Sequence, residues 1–344
     1  MLCKPLAVLC CVFTLVGYSQ TGGANAFSNL TTQYNARTMA LGGDAIAIFD
    51  NDVNLGVNNP VIINSSMHGR LGFSQSIVTT NGLNTGNLNY AHAFGKTTGM
   101  LNFRYASYGK MKRTDEFGIE NGTFTPGDFI LGASAQRFFN PRMAVGATLN
   151  LLYSQMDSYT AFGTSIDIAG MYQDTSKNIV LVGLVKNLGM QWKGFTSQKS
   201  RLPLEVQFGL SYRLKHAPFR FSFIAQHLQK WNIAYNDPNA KNRLDPLSGD
   251  TIKTDKSGFF DKLGRHMKIQ VEVLIGKKVR ISTAFDYHRR KELAIVGRGG
   301  LAGFSFGLGL TFKRFAIDYG WFIYSVAGGQ HGLSLSIPLI NKRL

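Results

Sequence analysis

The chain has 344 residues, room for two ordinary domains or one large barrel, and a formal net charge of +17. Such an excess of Lys and Arg points to an acidic partner, nucleic acid or an anionic membrane surface, and for an exported chain the membrane is the expected one. All three cysteines (Cys3, Cys10, Cys11) lie in the first nineteen residues. A chain that sheds those residues has no disulfide, no thiol catalysis and no cysteine-held metal.

Those residues read as a secretory leader. Lys4 supplies a positive start, Leu6 to Val16 an apolar run, and Gly17-Tyr18-Ser19 the small residues a signal peptidase reads, so cleavage is expected between Ser19 and Gln20. A lipid anchor would need a small residue before its cysteine, but Leu9 precedes Cys10 and Cys10 precedes Cys11. Beyond the leader no eighteen-residue apolar run exists, so no transmembrane helix is expected. The mean hydropathy of −0.05 does not argue against a membrane. In a β-barrel, lipid-facing and lumen-facing residues alternate and the average cancels.

Residues 20–66 alternate poorly and are rich in Asn, Gly and Ala, with apolar pieces such as Ala45 to Phe49. They are read as an N-terminal plug or periplasmic segment with a short helix. From residue 67 to 344, period-two alternation takes over. Fourteen strands are expected: 69–79, 87–94, 98–108, 128–138, 143–153, 159–172, 178–187, 204–214, 219–228, 267–274, 279–288, 301–312, 315–324 and 331–339. In Leu301 to Phe312, Phe304, Phe306, Leu308, Leu310 and Phe312 share one face, and Gly303, Ser305, Gly307, Gly309 and Thr311 the other. Aromatic and aliphatic groups face lipid, and small or polar groups face the lumen. The class is therefore all-β, a transmembrane antiparallel barrel of about 14 strands with an N-terminal plug. Short and long connections are expected to alternate strictly, with the tight turns periplasmic. Tyr153, Tyr212, Tyr319 and Trp321 are placed as girdle residues.

The segment Asn35 to Pro60 reads NARTMALGGDAIAIFDNDVNLGVNNP. Its Ala40-Leu41-Gly42-Gly43, then Asp50 and Asp52, then Asn59-Pro60, with Leu202 to Leu214 (LPLEVQFGLSYRL) downstream, resembles the PorV/PorQ family. These are FadL-like outer-membrane barrels of the type IX secretion system, and the likeness is nearest to the PorQ side. The usual NPAG becomes Asn59-Pro60-Val61-Ile62 here, and the chain ends in Lys342-Arg343-Leu344 without a terminal aromatic. The resemblance implies a non-enzymatic component of the outer membrane of a Gram-negative bacterium. It would anchor a cell-surface attachment complex with partners resembling PorU, PorV and PorZ, beside lipopolysaccharide. The alternative is a FadL-like channel for hydrophobic small molecules, which needs an oily path past the plug.

Other chemistry is weaker. Gly303-Phe304-Ser305-Phe306-Gly307 matches G-x-S-x-G, but a nucleophile elbow needs a strand–turn–helix, and here the alternation runs straight through. Asp50-Asn51-Asp52 begins like a calcium loop, yet Leu55 stands where glycine must turn and Val61 where the bidentate Glu belongs, so a turn is expected. Gly297, Gly299, Gly300 and Gly303 miss G-x-G-x-x-G at Ala302. The seven histidines are scattered, so no metal, cofactor or catalytic residue is assigned, and no nucleic acid partner. The inward phase carries Arg104, Glu205, Arg213, Lys268, Glu272, Arg280, Asp286 and Asp318, read as mutually paired charges ahead of an ion pathway. In the long loop 230–265, the aromatics Trp231, Tyr235, Phe259 and Phe260 are candidate partner-binding residues.

Overall fold

A computed structural model of the chain describes residues 27–234, 243–244, 251–252, 258–293, 300–325 and 328–340. The leader, Tyr235 and the last residues, 341–344, lie outside them. Fourteen strands form one closed antiparallel barrel. In chain order they are β1 (Arg70–Val78), β2 (Asn84–Phe94), β3 (Thr97–Ser107), β4 (Gly127–Asn140), β5 (Met143–Met156), β6 (Tyr159–Asp174) and β7 (Ile179–Lys193). Then come β8 (Glu205–Arg213), β9 (Phe219–Ala225), β10 (Met267–Ile275), β11 (Val279–Asp286), β12 (Phe304–Thr311), β13 (Ala316–Ser325) and β14 (Gly328–Pro338). Closure is made by β1 against β14, from Arg70 opposite Pro338 to Val78 opposite Gln330. No backbone edge is left open there, as a wall standing in lipid requires.

The outward face is the apolar one. Leu101, Leu131, Leu149, Ile168 and Leu333 are 50–60% exposed, while their neighbours Asn102, Gly132, Thr148, Asp167 and Ser334 turn inward. Among the described residues no helix is long and apolar enough to cross a membrane. Tyr153, Tyr212 and Tyr319 are outward and exposed, and Trp321 lies on the same face between Phe306 and His331.

Several strand ends differ from the sequence reading: β2 starts at Asn84 and not at 87, β9 stops at Ala225 and not at 228, and β12 runs from Phe304 to Thr311 and not from 301 to 312. Strand β7 does not stop at Asn187. That residue takes a left-handed φ of 61°, bulges, and the strand continues to Lys193. A bulge inserts a residue without ending the ladder, but it breaks the period that marks a strand in sequence. The strict short–long alternation of connections also fails. One end carries only short turns (95–96, 141–142, 175–178, 214–218, 276–278, 312–315). The other end mixes long connections (108–126, 194–204, 226–266, 287–303) with the short ones 79–83 and 157–158. Length is constrained only on the turn end; on the loop end each connection is free to be tight or long.

Candidate functional site in the lumen

The described part of the N-terminal segment lies against inward-facing side chains. Its one α-helix, α1 (Ala36–Ala40), is a single turn stabilised at both ends. Asn35 caps it, its side-chain oxygen accepting from the Thr38 N–H at 2.9 Å. At the other end the Gly43 N–H reaches the Thr38 carbonyl at 2.8 Å and the Gly42 N–H reaches that of Met39 at 3.0 Å. That is the Schellman closure, and it needs the left-handed φ values of 77° and 97° that Gly42 and Gly43 supply. The helix rests on bare wall: a Cβ on Gly320 would stand 2.0 Å from the Ala36 carbonyl oxygen, and one on Gly307 2.3 Å from the Ala40 Cβ. Asn59 repeats the capping device, accepting from the Val61 N–H at 3.1 Å and donating to the Ile46 carbonyl at 2.6 Å, with Pro60 opening a 3-10 turn.

Arg37 projects from α1 into a cluster of carboxylates and is 2% exposed. Its guanidinium donates to both Asp50 oxygens (3.1 and 2.7 Å), to Asp52 (3.1 Å) and to Glu272 of β10 (3.0 and 3.3 Å). Arg220 of β9 joins at 2.7 Å from Glu272 and 3.3 Å from Asp50, and Arg280 of β11 bridges Glu272 and Asp318. Burial pushes the Asp50 carboxyl up, but Arg37 and Arg220 outweigh it and hold the group well below the usual carboxylate range. Asp44 is held down the same way: burial opposes ionisation, and Lys268 at 2.7 Å and Lys186 at 3.9 Å overcome it. Asp50 and Asp52 are therefore bound to cations of the chain itself. Among the described residues no cluster of three or more His, Asp or Glu could hold a metal ion.

The opposite side of the lumen is apolar. Ala144 of β5, Ala169 and Met171 of β6, Val182 and Leu184 of β7 and Ile224 of β9 are buried against Leu41, Ala45–Ile48, Leu55, Val61 and Ile62. Nearer the loop end of the same wall, Ile130 and Leu152 pack with Phe27, Leu30, Ala161 and Leu202. Above them opens a cavity of about 420 Å³, lined by Phe27, Met111, Pro126, Met156, Ala161 and Phe195 with Asp128 and Gln191 at its polar side. A polar belt separates the two apolar patches. Arg104 donates to Asn150 at 2.6 Å, and Asn150 to Asp167 at 3.0 Å.

Of the charges placed inward by sequence, all but Arg213 are buried or nearly so, and Arg213 stands exposed at the turn end. Ser305 is wholly buried on the straight strand β12, taking a 3.4 Å hydrogen bond from Arg289, with no elbow around it. Trp231, Phe259 and Phe260 gather at the loop end, 50%, 62% and 84% exposed, with ring centroids 5.8 and 5.6 Å apart along the series. The decisive residue that sequence reasoning passed over is Arg37. Its signal was available: it is the one charge in the small-residue stretch from Asn35 to Gly43.

No protein-family model and no curated protein matches the chain. Among solved structures, the Pseudomonas putida toluene transporter TodX superposes with a TM-score of 0.52 at 11% identity, over 90% of this chain and 98% of its own. A deltaS2 mutant of the TodX monoaromatic hydrocarbon channel gives 0.52 at 12%, over 88% and 97%. The fold is the one these TodX barrels have. A Pseudomonas aeruginosa FadL homologue also aligns, with a TM-score of 0.48 at 9% identity over 90% of this chain and 99% of its own. At such identities the likeness speaks for architecture alone.

Proposed function

We propose that the protein is a non-enzymatic outer-membrane barrel that admits small hydrophobic molecules at its loop end, with the N-terminal segment as the plug of the lumen. The observation that carries this reading is the 420 Å³ cavity at the loop end, whose floor is set by Phe27, Ala161 and Phe195. Small-molecule sites combine apolar lining with placed polar groups, and here Asp128, Ser154, Gln191 and Gln198 are among the polar residues that share the lining with the apolar floor. The fold it shares with a toluene transporter supports the same reading. Passage beyond the cavity requires the Arg104–Asn150–Asp167 belt to open and the plug to shift. The test is binding of toluene to detergent-purified protein by saturation-transfer NMR. Wild type is expected to bind, and Ala161→Asp, which sets a carboxylate on the apolar floor, to lose the signal while the barrel keeps heat-modifiable gel mobility. No transfer to wild type sinks the reading.

A second reading is favoured by the clustered, exposed aromatics Trp231, Phe259 and Phe260. Exposed aromatics on a rigid scaffold suit protein docking. With the PorV/PorQ resemblance of Asn35 to Pro60, this makes the barrel an anchor for type IX secretion partners resembling PorU, PorV and PorZ at a lipopolysaccharide surface. Its test is affinity purification from the native membrane. The W231A/F259A/F260A variant is expected to lose a partner that wild type retains, and an unchanged partner list rejects the anchor.

A further inference from the structure

The excess positive charge has a location. Each of the six short turns carries an exposed Lys or Arg: Lys96, Arg142, Lys177, Lys215, Lys278 and Arg314. None of the six makes an ion pair within the described residues. The six turns hold no carboxylate, and Asp174, the last residue of β6, is buried and occupied by the Ser176 hydroxyl and the N–H groups of residues 176 and 177. Just along the strands, outward aromatics flank the cations: Phe94 is 66%, Phe139 71% and Phe312 51% exposed. The loop end is different. There both signs occur and pair, as in Lys112–Glu120, Arg113–Asp157 and Arg265 with Asp261 and Glu292.

We infer that the turn-end rim is a binding ring for anionic phospholipid headgroups. Six turns spaced around a closed barrel present cations on every side, which matches a lipid annulus; a protein partner would meet one arc. Aromatic rings beside the cations set the depth at which side chains cross from hydrocarbon to headgroup. Basic residues at that depth attract anionic lipid, and the attraction extends about a Debye length. In a barrel with tight periplasmic turns this rim faces the inner, phospholipid leaflet. The inference rests on the barrel spanning a membrane and not on what the lumen carries.

The test uses full-length protein in detergent, titrated with phosphatidylglycerol or phosphatidylethanolamine and read by native mass spectrometry. Wild type is expected to retain phosphatidylglycerol about tenfold more than phosphatidylethanolamine, in keeping with the attraction of a few cations. The variant K96Q/R142Q/K177Q/K215Q/K278Q/R314Q is expected to lose that preference and keep heat-modifiable mobility. The loop-end variant K112Q/R113Q is expected to keep the preference. If the sextuple variant does not assemble, K96Q/R142Q/K177Q is read instead, with about a threefold loss expected from removing half the ring. Equal retention of both lipids by wild type overturns the inference. So does an unchanged preference in the assembled variant, or displacement of the lipid by soluble polyglutamate, which would make the ring a site for an acidic polymer.

Discussion

The two sides of the lumen hold the same segment by different physics. Strands β4 to β7 form a tall wall of 14–16 residues per strand, and its inner face offers Ile130, Leu152, Ala169, Val182 and Leu184. Strands β10 to β12 are 8–9 residues long and offer Lys268, Glu272, Arg280, Asp286 and Ser305. Apolar contact has no preferred direction, so the tall wall sets how tightly the segment is held but not its register. Guanidinium–carboxylate contacts are directional, so the short wall sets where α1 sits. The tall wall also carries the cavity, with no residue of the Arg37 cluster in its lining.

The largest effect should come from Arg37→Ala. It leaves Asp50, Asp52 and Glu272 buried without their central cation, and breaking a buried ionic cluster this way costs about 3–5 kcal/mol. Hydrogen exchange of residues 36–48 should rise sharply while the barrel keeps its heat-modifiable mobility. Arg37→Lys should recover only part of the protection, because an ammonium cannot reproduce the fork that meets Asp50 through two nitrogens. If exchange stayed at the wild-type level in Arg37→Ala, the short wall would not be what positions the segment.

Leu184→Ala probes the tall wall. Deleting a buried leucine costs about 2–5 kcal/mol. The loss should appear in urea unfolding, with the Arg37 contacts unshifted, since nothing directional is removed. A smaller effect is expected of Gly320→Ala, whose Cβ would meet the Ala36 carbonyl oxygen at 2.0 Å. Overpacking of that kind costs about 1–3 kcal/mol. Gly170→Ala on β6, where a Cβ meets nothing within 4 Å, is the matched control and should be neutral. Equal effects at the two glycines would mean that α1 does not rest on the wall.

The outer surface was legible in the sequence because a barrel writes it locally: side chains two residues apart share a face, and lipid selects for one face throughout. The alternation in Met143 to Tyr153 and in Leu301 to Phe312 therefore located strands, phase and closure together. The lumen was legible only by half. Glu272, Arg280 and Asp318 were placed inward by period, but their partner Arg37 lies 235 residues from Glu272, and no local pattern encodes that meeting. Gly320 and Gly307 lie against Ala36 and Ala40, and no local pattern names those partners either. Asn187 hid the end of β7 because a bulge shifts the phase on which the reading depended. The cavity was invisible for the same reason as Arg37, since Phe27, Ala161 and Phe195 come from three separate stretches of chain.

The smallest expected effect is a null one, and it separates the charged wall from an acid-triggered latch. Asp50 has a carboxyl held below its ordinary value in the folded chain. A group of that kind contributes stability at every pH above its unfolded pKa of about 4, and loses it only as pH falls through the lower folded value. Between pH 8 and pH 5 the Arg37–Asp50 contact should therefore not change. Exchange protection of residues 36–48, corrected for the intrinsic rate, should be flat over that range and fall only in stronger acid. A loss of protection between pH 7 and pH 5 would assign the hold to another group, and His227, which bonds Glu205 at 2.6 Å, and Asp318, which shares Arg280 with Glu272, are the groups to substitute first. A flat profile leaves displacement of the segment to ligand or partner binding, because the periplasmic pH range cannot unmake the cluster that fixes it.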